Sequence, residues 1–344
     1  MLLVVCAVGV VLVIGWAMQV PMRLRLGMIA AIWALVVLSL LVLPEGPLRQ
    51  ALGGDVRGWL ALGVVVALGL AYRAAIAALR HRAAPPVQTE APMFRPAELE
   101  RYSRHILLRD IGGPGQARLK QARVLVIGAG GLGSPALLYL AAAGVGQISV
   151  IDPDQVEGSN LQRQIIHTDD RIGMPKVHSA AVALRALNPF IEVRPYQRRL
   201  DAENAAALIA EQDLVLDGTD NFDTRYLVNR ICVEQRKPLI SAAMTQWEGQ
   251  ISLYHPAAGG PCYECVFPER PAPGMVPACA EAGVVAALPG ILGSLMAMEA
   301  IKHLTGAGPG LRGRLMIHDA LYAETRTITV KPRPDCPVCA GRHG

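Results

Sequence analysis

An apolar run, Arg123 to Ile127 (RVLVI), passes directly into Gly128-Ala129-Gly130-Gly131-Leu132-Gly133, then into helix formers from Ser134 to Ala143 and a second apolar run, Ile148 to Ile151 (ISVI). Strand, glycine turn, helix and strand within about 30 residues define a βαβ unit, and such a unit demands a parallel strand pair with its helix lying across one sheet face. The alternation continues. Pro175 to Leu187 reads as a helix with proline at its start, Leu214 to Leu216 as a strand, Phe222 to Arg236 as a helix and Pro238 to Ala242 as a strand. Gln250 to Tyr254 and Arg314 to His318 read as further strands, and Ala280 to Leu304 as a long helix-prone stretch broken at Pro289 and Gly290. This order predicts an α/β fold with a doubly wound, mostly parallel, Rossmann-like sheet and no internal repeat.

The glycine loop carries the first chemical signal. Gly128, Gly130, Gly131 and Gly133 permit a tight turn and close approach of backbone amides to phosphate, and the helix N-terminus that follows favours negative charge. Asp152 ends the next strand about 20 residues on, where an acidic side chain can bond ribose hydroxyls. NAD, FAD, S-adenosylmethionine and ATP all fit that much, and a purely structural glycine turn is the bland alternative. Discrimination comes from SNLQRQ (Ser159 to Gln164), Lys176 and DGTDN (Asp217 to Asn221). Arg163 and Lys176 together suit a triphosphate and the charge that moves onto a pyrophosphate leaving group, although either alone reads more simply as a solvated cation. Asp220 falls just past a strand, at the carboxyl edge where open sheets bind ligands; capping the next helix is its plainer role and is compatible with magnesium binding.

Cys262/Cys265 and Cys336/Cys339 form two CxxC pairs. Four thiolates match a structural tetrahedral zinc, and they leave no position open for catalysis; a pair of redox switches is the competing reading. The chain has 7 cysteines. Cys6 and Cys232 lie in apolar or helical surroundings that suggest packing, and in a cytoplasmic chain a disulfide framework is not expected.

Hydrophobic residues make up 52% of the 344, and the excess is concentrated before about residue 80. Leu2 to Val20, Gly27 to Leu43 and Gly58 to Leu79 read as three transmembrane spans, giving a membrane region over 1–82, a proline-rich linker over 83–96 and a catalytic domain over 97–344. A cleaved signal peptide is the alternative for the first run, but no basic segment precedes it; a buried helical hairpin is the alternative for the second. Arg23 and Arg25 after the first span, and Arg80 and Arg82 after the third, outnumber Arg49 and Arg57 on the opposite side. They place the large domain in the cytoplasm, on a multi-pass inner-membrane anchor in contact with lipid. Arg73 lies near the interface and snorkels, with no sign of transport. The net charge of +5 comes from scattered arginines without interleaved aromatics, so no nucleic acid is expected.

From Arg101 to Cys339 the chain carries RYSRHILL, GAGGLGSP, SNLQRQ, GMPKV, DGTDN, EGQ, CYEC, CAEAGV, GSLMAMEAIK and CPVC in order. In these motifs it resembles the ubiquitin-activating-enzyme-like (E1-like) adenylyltransferases of bacterial sulfur transfer, the ThiF/MoeB/HesA family, and most closely molybdopterin-synthase adenylyltransferase. The resemblance implies ATP-dependent adenylation of the C-terminal glycine carboxylate of a small ubiquitin-fold sulfur-carrier protein ending in Gly-Gly, with release of pyrophosphate. It further implies that Asp152 and Asn160 contact the nucleotide, that Arg163 and Lys176 contact its phosphates, and that Asp220 is essential through Mg2+. Arg104 matches an arginine inserted into a partner subunit, which implies a homodimer, and Cys279 matches a cysteine that some relatives use for thioester or persulfide chemistry. The membrane region departs from the usual soluble members, no rhodanese-like extension follows Cys339, and Gly218 stands where the family often has cysteine. A catalytically inactive membrane scaffold for a carrier protein and an NAD-dependent oxidoreductase are the competing functions; the latter has no use for Arg163, Lys176 and the zinc knot together.

Overall fold

The structure is a computed structural model that describes residues 2–53, 55–83, 93–271 and 283–341. It divides into two compact units, Met1–Ala91 and Pro92–Gly344.

The first unit is helical: α1 (Leu2–Ala17), α2 (Met22–Val42), α3 (Pro47–Ala51) and α4 (Val56–Ala83). Val4, Val36 and Leu40 form a small buried cluster, and the Trp33 indole donates to the Trp59 carbonyl at 3.1 Å. Most other apolar side chains here face outward, among them Leu35, Leu41, Val65 and Leu68. The expectation of three spans is corrected. Among the described residues two stretches, Met22–Val42 and Pro47–Leu79, are long and apolar enough to cross a membrane. Helix α1 has 16 residues, about 24 Å at 1.5 Å per residue, short of a hydrocarbon core of about 30 Å. It stops because Gln19 takes the left-handed region at φ 54° and Pro21 then opens α2.

The second unit is built on an eight-stranded sheet of order β3-β2-β1-β4-β5-β6-β7-β8. The strands are β1 (Arg123–Ile127), β2 (Gln147–Ile151), β3 (Glu192–Tyr196), β4 (Leu214–Asp217), β5 (Leu239–Thr245), β6 (Glu248–Tyr254), β7 (Arg314–Asp319) and β8 (Glu324–Thr329). Strands β1 to β5 run parallel and β5 to β8 form an antiparallel meander. Its helices are α5 (Pro96–Ile106), α6 (Gly112–Gln121), α7 (Gly133–Ala143), α8 (Lys176–Leu187), α9 (Ala205–Ala210), α10 (Phe222–Glu234), α11 (Tyr263–Val266) and α12 (Leu288–Thr305).

Successive strand residues point to opposite faces, and the two cores follow that period. Val124, Val126, Ile148, Val150, Leu214 and Leu216 pack with α7, α8 and α12. Leu125, Ile127, Ile151 and Val215 pack with α9 and α10 on the other face. Burial on both faces explains why the parallel strands read as continuous apolar runs. Each buried Leu, Ile or Val contributes about 1.5–3 kcal/mol of transfer free energy.

Several expectations shift. Pro289 does not break a helix; it lies in the first turn of α12, where its missing N–H is no loss. The part of the expected stretch over 280–282 lies outside the described residues, as does most of the expected linker, from 84 to 92. Strand β3 carries Pro195, which an edge strand tolerates, and every side chain of β8 is exposed, so neither announced itself by hydrophobic alternation.

Candidate active site

In the sheet register Ile127 stands beside both Ile151 and Asp217, so the loops leaving β1, β2 and β4 start at one level. Strand β1 lies between β2 and β4, with successive connections departing in opposite directions, which is the switch point where such sheets open a crevice. The glycine loop turns there. Gly128 has φ 92°, a region costly for any side chain, and its N–H donates to Ile151 O at 2.9 Å. A Cβ on Gly133 would sit 1.9 Å from Gly128 O. Gly133 is therefore the residue that lets α7 start against the loop. Unlike Gly128, Gly130 and Gly131, it is not part of the cleft wall.

The crevice is a cleft of about 740 Å³, and its wall includes Gly128, Gly130, Gly131, Asp152, Asn160, Arg163, Lys176 and Asp220. Asp152 is buried. Its Oδ2 accepts from Ala129 N–H and its Oδ1 from Asp154 N–H, both at 2.8 Å. Burial pushes its carboxyl above the usual carboxylate range, against the pull of those two bonds. Asp152 thus fixes the glycine loop, and each oxygen keeps a lone pair for a hydroxyl.

Asn160 closes a short 3-10 turn, and the Arg163 guanidinium donates to Asn160 Oδ1 and to Ser159 O, each at 3.3 Å. Lys176 is the first residue of α8, beside that helix's positive end. Its buried ammonium is paired with the exposed Asp154 at 2.9 Å, so it is not the free solvated cation of the plainer reading. Asp220 is not a cap: Asn221 caps α10, accepting from Thr224 N–H at 3.0 Å. The Asp220 carboxylate is exposed in the cleft and makes no hydrogen bond or ion pair among the described residues.

The loop bearing Asp220 is held by groups that spacing did not reveal. Asp217 is fully buried and accepts from Thr219 N–H (3.0 Å), Thr219 Oγ1 (2.7 Å) and Ser241 Oγ (3.1 Å). Arg225, also buried, pairs with Asp217 at 3.7 Å and donates to Ser241 Oγ, Ala242 O and Thr219 O. Removing one member of such a buried pair costs about 3–5 kcal/mol, because the other is left uncompensated. Arg198 and Arg199, beyond β3, also line the cleft, as does Gln164, whose buried Oε1 has no partner among the described residues. Arg104 lies exposed on α5 and is not part of its own chain's cleft wall. Cys279 lies outside the described residues.

Away from the cleft, Cys262, Cys265, Cys336 and Cys339 are buried together, their Sγ atoms all within 4.8 Å of one another. The shortest separations are 3.3 Å (Cys265 to Cys339), 3.6 Å (Cys262 to Cys336) and 3.8 Å (Cys262 to Cys265). All exceed a disulfide bond, and they run up to the spacing of about 3.8 Å set by four Zn–S bonds of about 2.3 Å in a tetrahedron. The Arg333 N–H points at Cys265 Sγ at 3.4 Å, a donor suited to a thiolate. The donor set fits one closed zinc site.

Residues 102–338 match the ThiF family model. The chain is 49% identical over 242 residues to the SAMP-activating enzyme E1 of Haloferax volcanii, covering 70% of this chain and 89% of that protein. It is 50% identical over 246 residues to a sulfur carrier protein adenylyltransferase of Thermus thermophilus, covering 70% and 91%. With the probable adenylyltransferase/sulfurtransferase MoeZ of Mycobacterium tuberculosis it shares 49% identity over 256 residues, covering 74% and 65%. Among solved structures, E. coli MccB with ATP superposes with a TM-score of 0.60 at 26% identity, covering 70% of this chain and 74% of that one. PaaA shares the fold at a TM-score of 0.61 and 23% identity, covering 83% and 90%.

Proposed function

This chain belongs to the ThiF family, and from that premise we propose that it adenylates the C-terminal glycine carboxylate of a small ubiquitin-fold sulfur-carrier protein. ATP is the co-substrate and pyrophosphate the leaving group. The observation that carries the reading is the convergence of Arg163, Lys176 and Asp220 with the Gly128 turn in one cleft. Relatives at about half identity support it, one named a sulfur carrier protein adenylyltransferase and another a probable adenylyltransferase/sulfurtransferase.

The chemistry follows from charge. The phosphates rest against the glycine loop, with the ribose toward Asp152 and Asn160. The carrier's carboxylate attacks the α-phosphorus, the bond to the β-phosphate oxygen breaks, and an acyl adenylate and pyrophosphate result. Negative charge grows on the nonbridging and leaving oxygens, where the Arg163 guanidinium and Lys176 ammonium stabilise it most in the transition state. Asp154 holds Lys176 in place until phosphate oxygens compete for it. Asp220, whose carboxylate has no partner among the described residues, is the residue that would hold Mg2+, whose charge would offset that of the phosphates.

The four cysteines would hold zinc and so tie the end of the domain to its middle; four sulfur ligands would leave the ion no catalytic position. The stretches Met22–Val42 and Pro47–Leu79 anchor the chain in the inner membrane, with the adenylating domain in the cytoplasm, where ATP is available. Arg104 reaches the site of a second copy in a homodimer. Exchange of labelled pyrophosphate into ATP, measured with a small ubiquitin-fold protein ending in Gly-Gly, tests the central proposal. Carrier-stimulated exchange is expected, and carrier binding without any exchange would select the inactive scaffold instead.

A further inference from the structure

We propose that His167, a residue with no role in the reading above, is the positioning residue that aims the Gly130 amide at the nucleotide phosphates. The proposal rests on the adenylation reading only in naming ATP as the ligand. His167 is buried at the end of the segment that carries Asn160 and Arg163. Its Nε2 lies 2.9 Å from the Ala129 carbonyl, and its Nδ1 lies 2.9 Å from Ser179 Oγ on α8.

A carbonyl can only accept, so Nε2 carries the proton. Ser179 Oγ receives the Arg171 guanidinium at 3.3 Å, which leaves the serine hydroxyl proton for Nδ1. The chain of donors runs Arg171, Ser179, His167, Ala129 in one direction. A neutral imidazole completes it, and burial, with the Lys176 and Arg171 cations nearby, keeps the imidazole from taking a second proton.

The consequence lies across one peptide bond. In a trans peptide the carbonyl of one residue and the N–H of the next point in opposite directions. With Ala129 O pulled inward onto His167, the Gly130 N–H is turned the other way; Gly130 lines the cleft, and this N–H has no acceptor among the described residues. The preceding peptide is fixed as well, by Ala129 N–H on Asp152 Oδ2. One imidazole therefore indexes the glycine loop, the Asn160/Arg163 segment and the helix that starts at Lys176 against one another, so that a backbone donor meets phosphate without reorganisation.

The test is equilibrium binding of ATP with Mg2+ to the full chain, without carrier, alongside carrier-dependent pyrophosphate exchange. His167→Leu removes the donor while keeping bulk, and ATP affinity is expected to weaken by about tenfold or more, as for a misaligned hydrogen bond to a charged group. The loss should appear in the KM for ATP with little change in the KM for the carrier. His167→Gln, whose amide N–H can reach the position of Nε2, should restore affinity to within about threefold. Ring nitrogen-15 resonances at neutral pH should show Nε2 protonated and Nδ1 bare. Wild-type affinity in His167→Leu, equal losses in the Leu and Gln variants, or the opposite tautomer would each overturn the proposal. Should His167→Leu not fold, Ser179→Ala decides, with weaker ATP binding expected and unchanged binding contrary. The expected binding pattern in a wild-type chain without exchange sinks the adenylation reading alone, and a wild-type chain that binds no ATP overturns both.

Discussion

The cleft and the cysteine cluster are both assembled from segments far apart in the chain, yet one is open and the other closed. In the cluster, four buried sulfurs face one point and nothing is left over for a substrate. In the cleft, groups of similar strength are left unfinished among the described residues: there Asp220 has no partner, the Gly130 amide has no acceptor, and Lys176 is held by one exposed carboxylate. Satisfied donors make structure, and unsatisfied ones at a crevice make a site. Loss of a cleft residue should therefore reduce turnover with the fold intact, while loss of a cysteine should reduce stability first.

The sharpest way to break that contrast is Asp220→Ala. Carrier-dependent exchange should fall by about 10³-fold or more, with circular dichroism and zinc content unchanged; exchange within tenfold of wild type would remove Asp220 from the chemistry. Lys176→Ala comes next, with an expected loss of about 10²-fold. A melting temperature that drops as far as the activity would make Lys176 a structural residue after all. Cys262→Ser should take the protein from one zinc per chain to none by atomic spectroscopy and lower its unfolding free energy by an amount on the order of several kcal/mol. Unaltered zinc stoichiometry would end the metal assignment. A chain restricted to residues 93–344 should keep exchange within about threefold, since the Pro92–Gly344 unit contains both regions.

The smallest effect is on pH. His167, His255 and His303 are each held below the ordinary histidine value of 6.5, chiefly by burial. Below 6.5 the unfolded chain binds more protons than the folded one, so stability is full above that pH and declines as pH falls through the window beneath it. Denaturant midpoints measured from pH 7.5 to 5 should fall on the acid side, and a flat profile would contradict the burial of these rings.

What could be read from the chain before its structure follows the same division. The βαβ unit and the cleft residues were legible because glycines at a turn, apolar runs and paired cysteines are local patterns. Asn221, and not Asp220, caps α10 because cap geometry is settled by one backbone torsion that spacing does not encode. The length of α1 hung on the single positive φ at Gln19. Arg225 and His167 were invisible for a different reason. Their partners are tertiary, with His167 reaching a carbonyl 38 positions away, and a hydrogen bond across that distance leaves no periodicity. Strand β8 was missed because an exposed edge strand has no apolar face to betray it.

Cys262 and Cys336 stand 74 positions apart, and the stretch between them contains α12, β7 and β8. An ion gripped at those two points would work like a buckle: the meander could not come undone from its far end without opening it. Chelation should loosen that half first and leave the strands under the glycine turn standing, so a protease given the metal-stripped protein would cut the belt before the body.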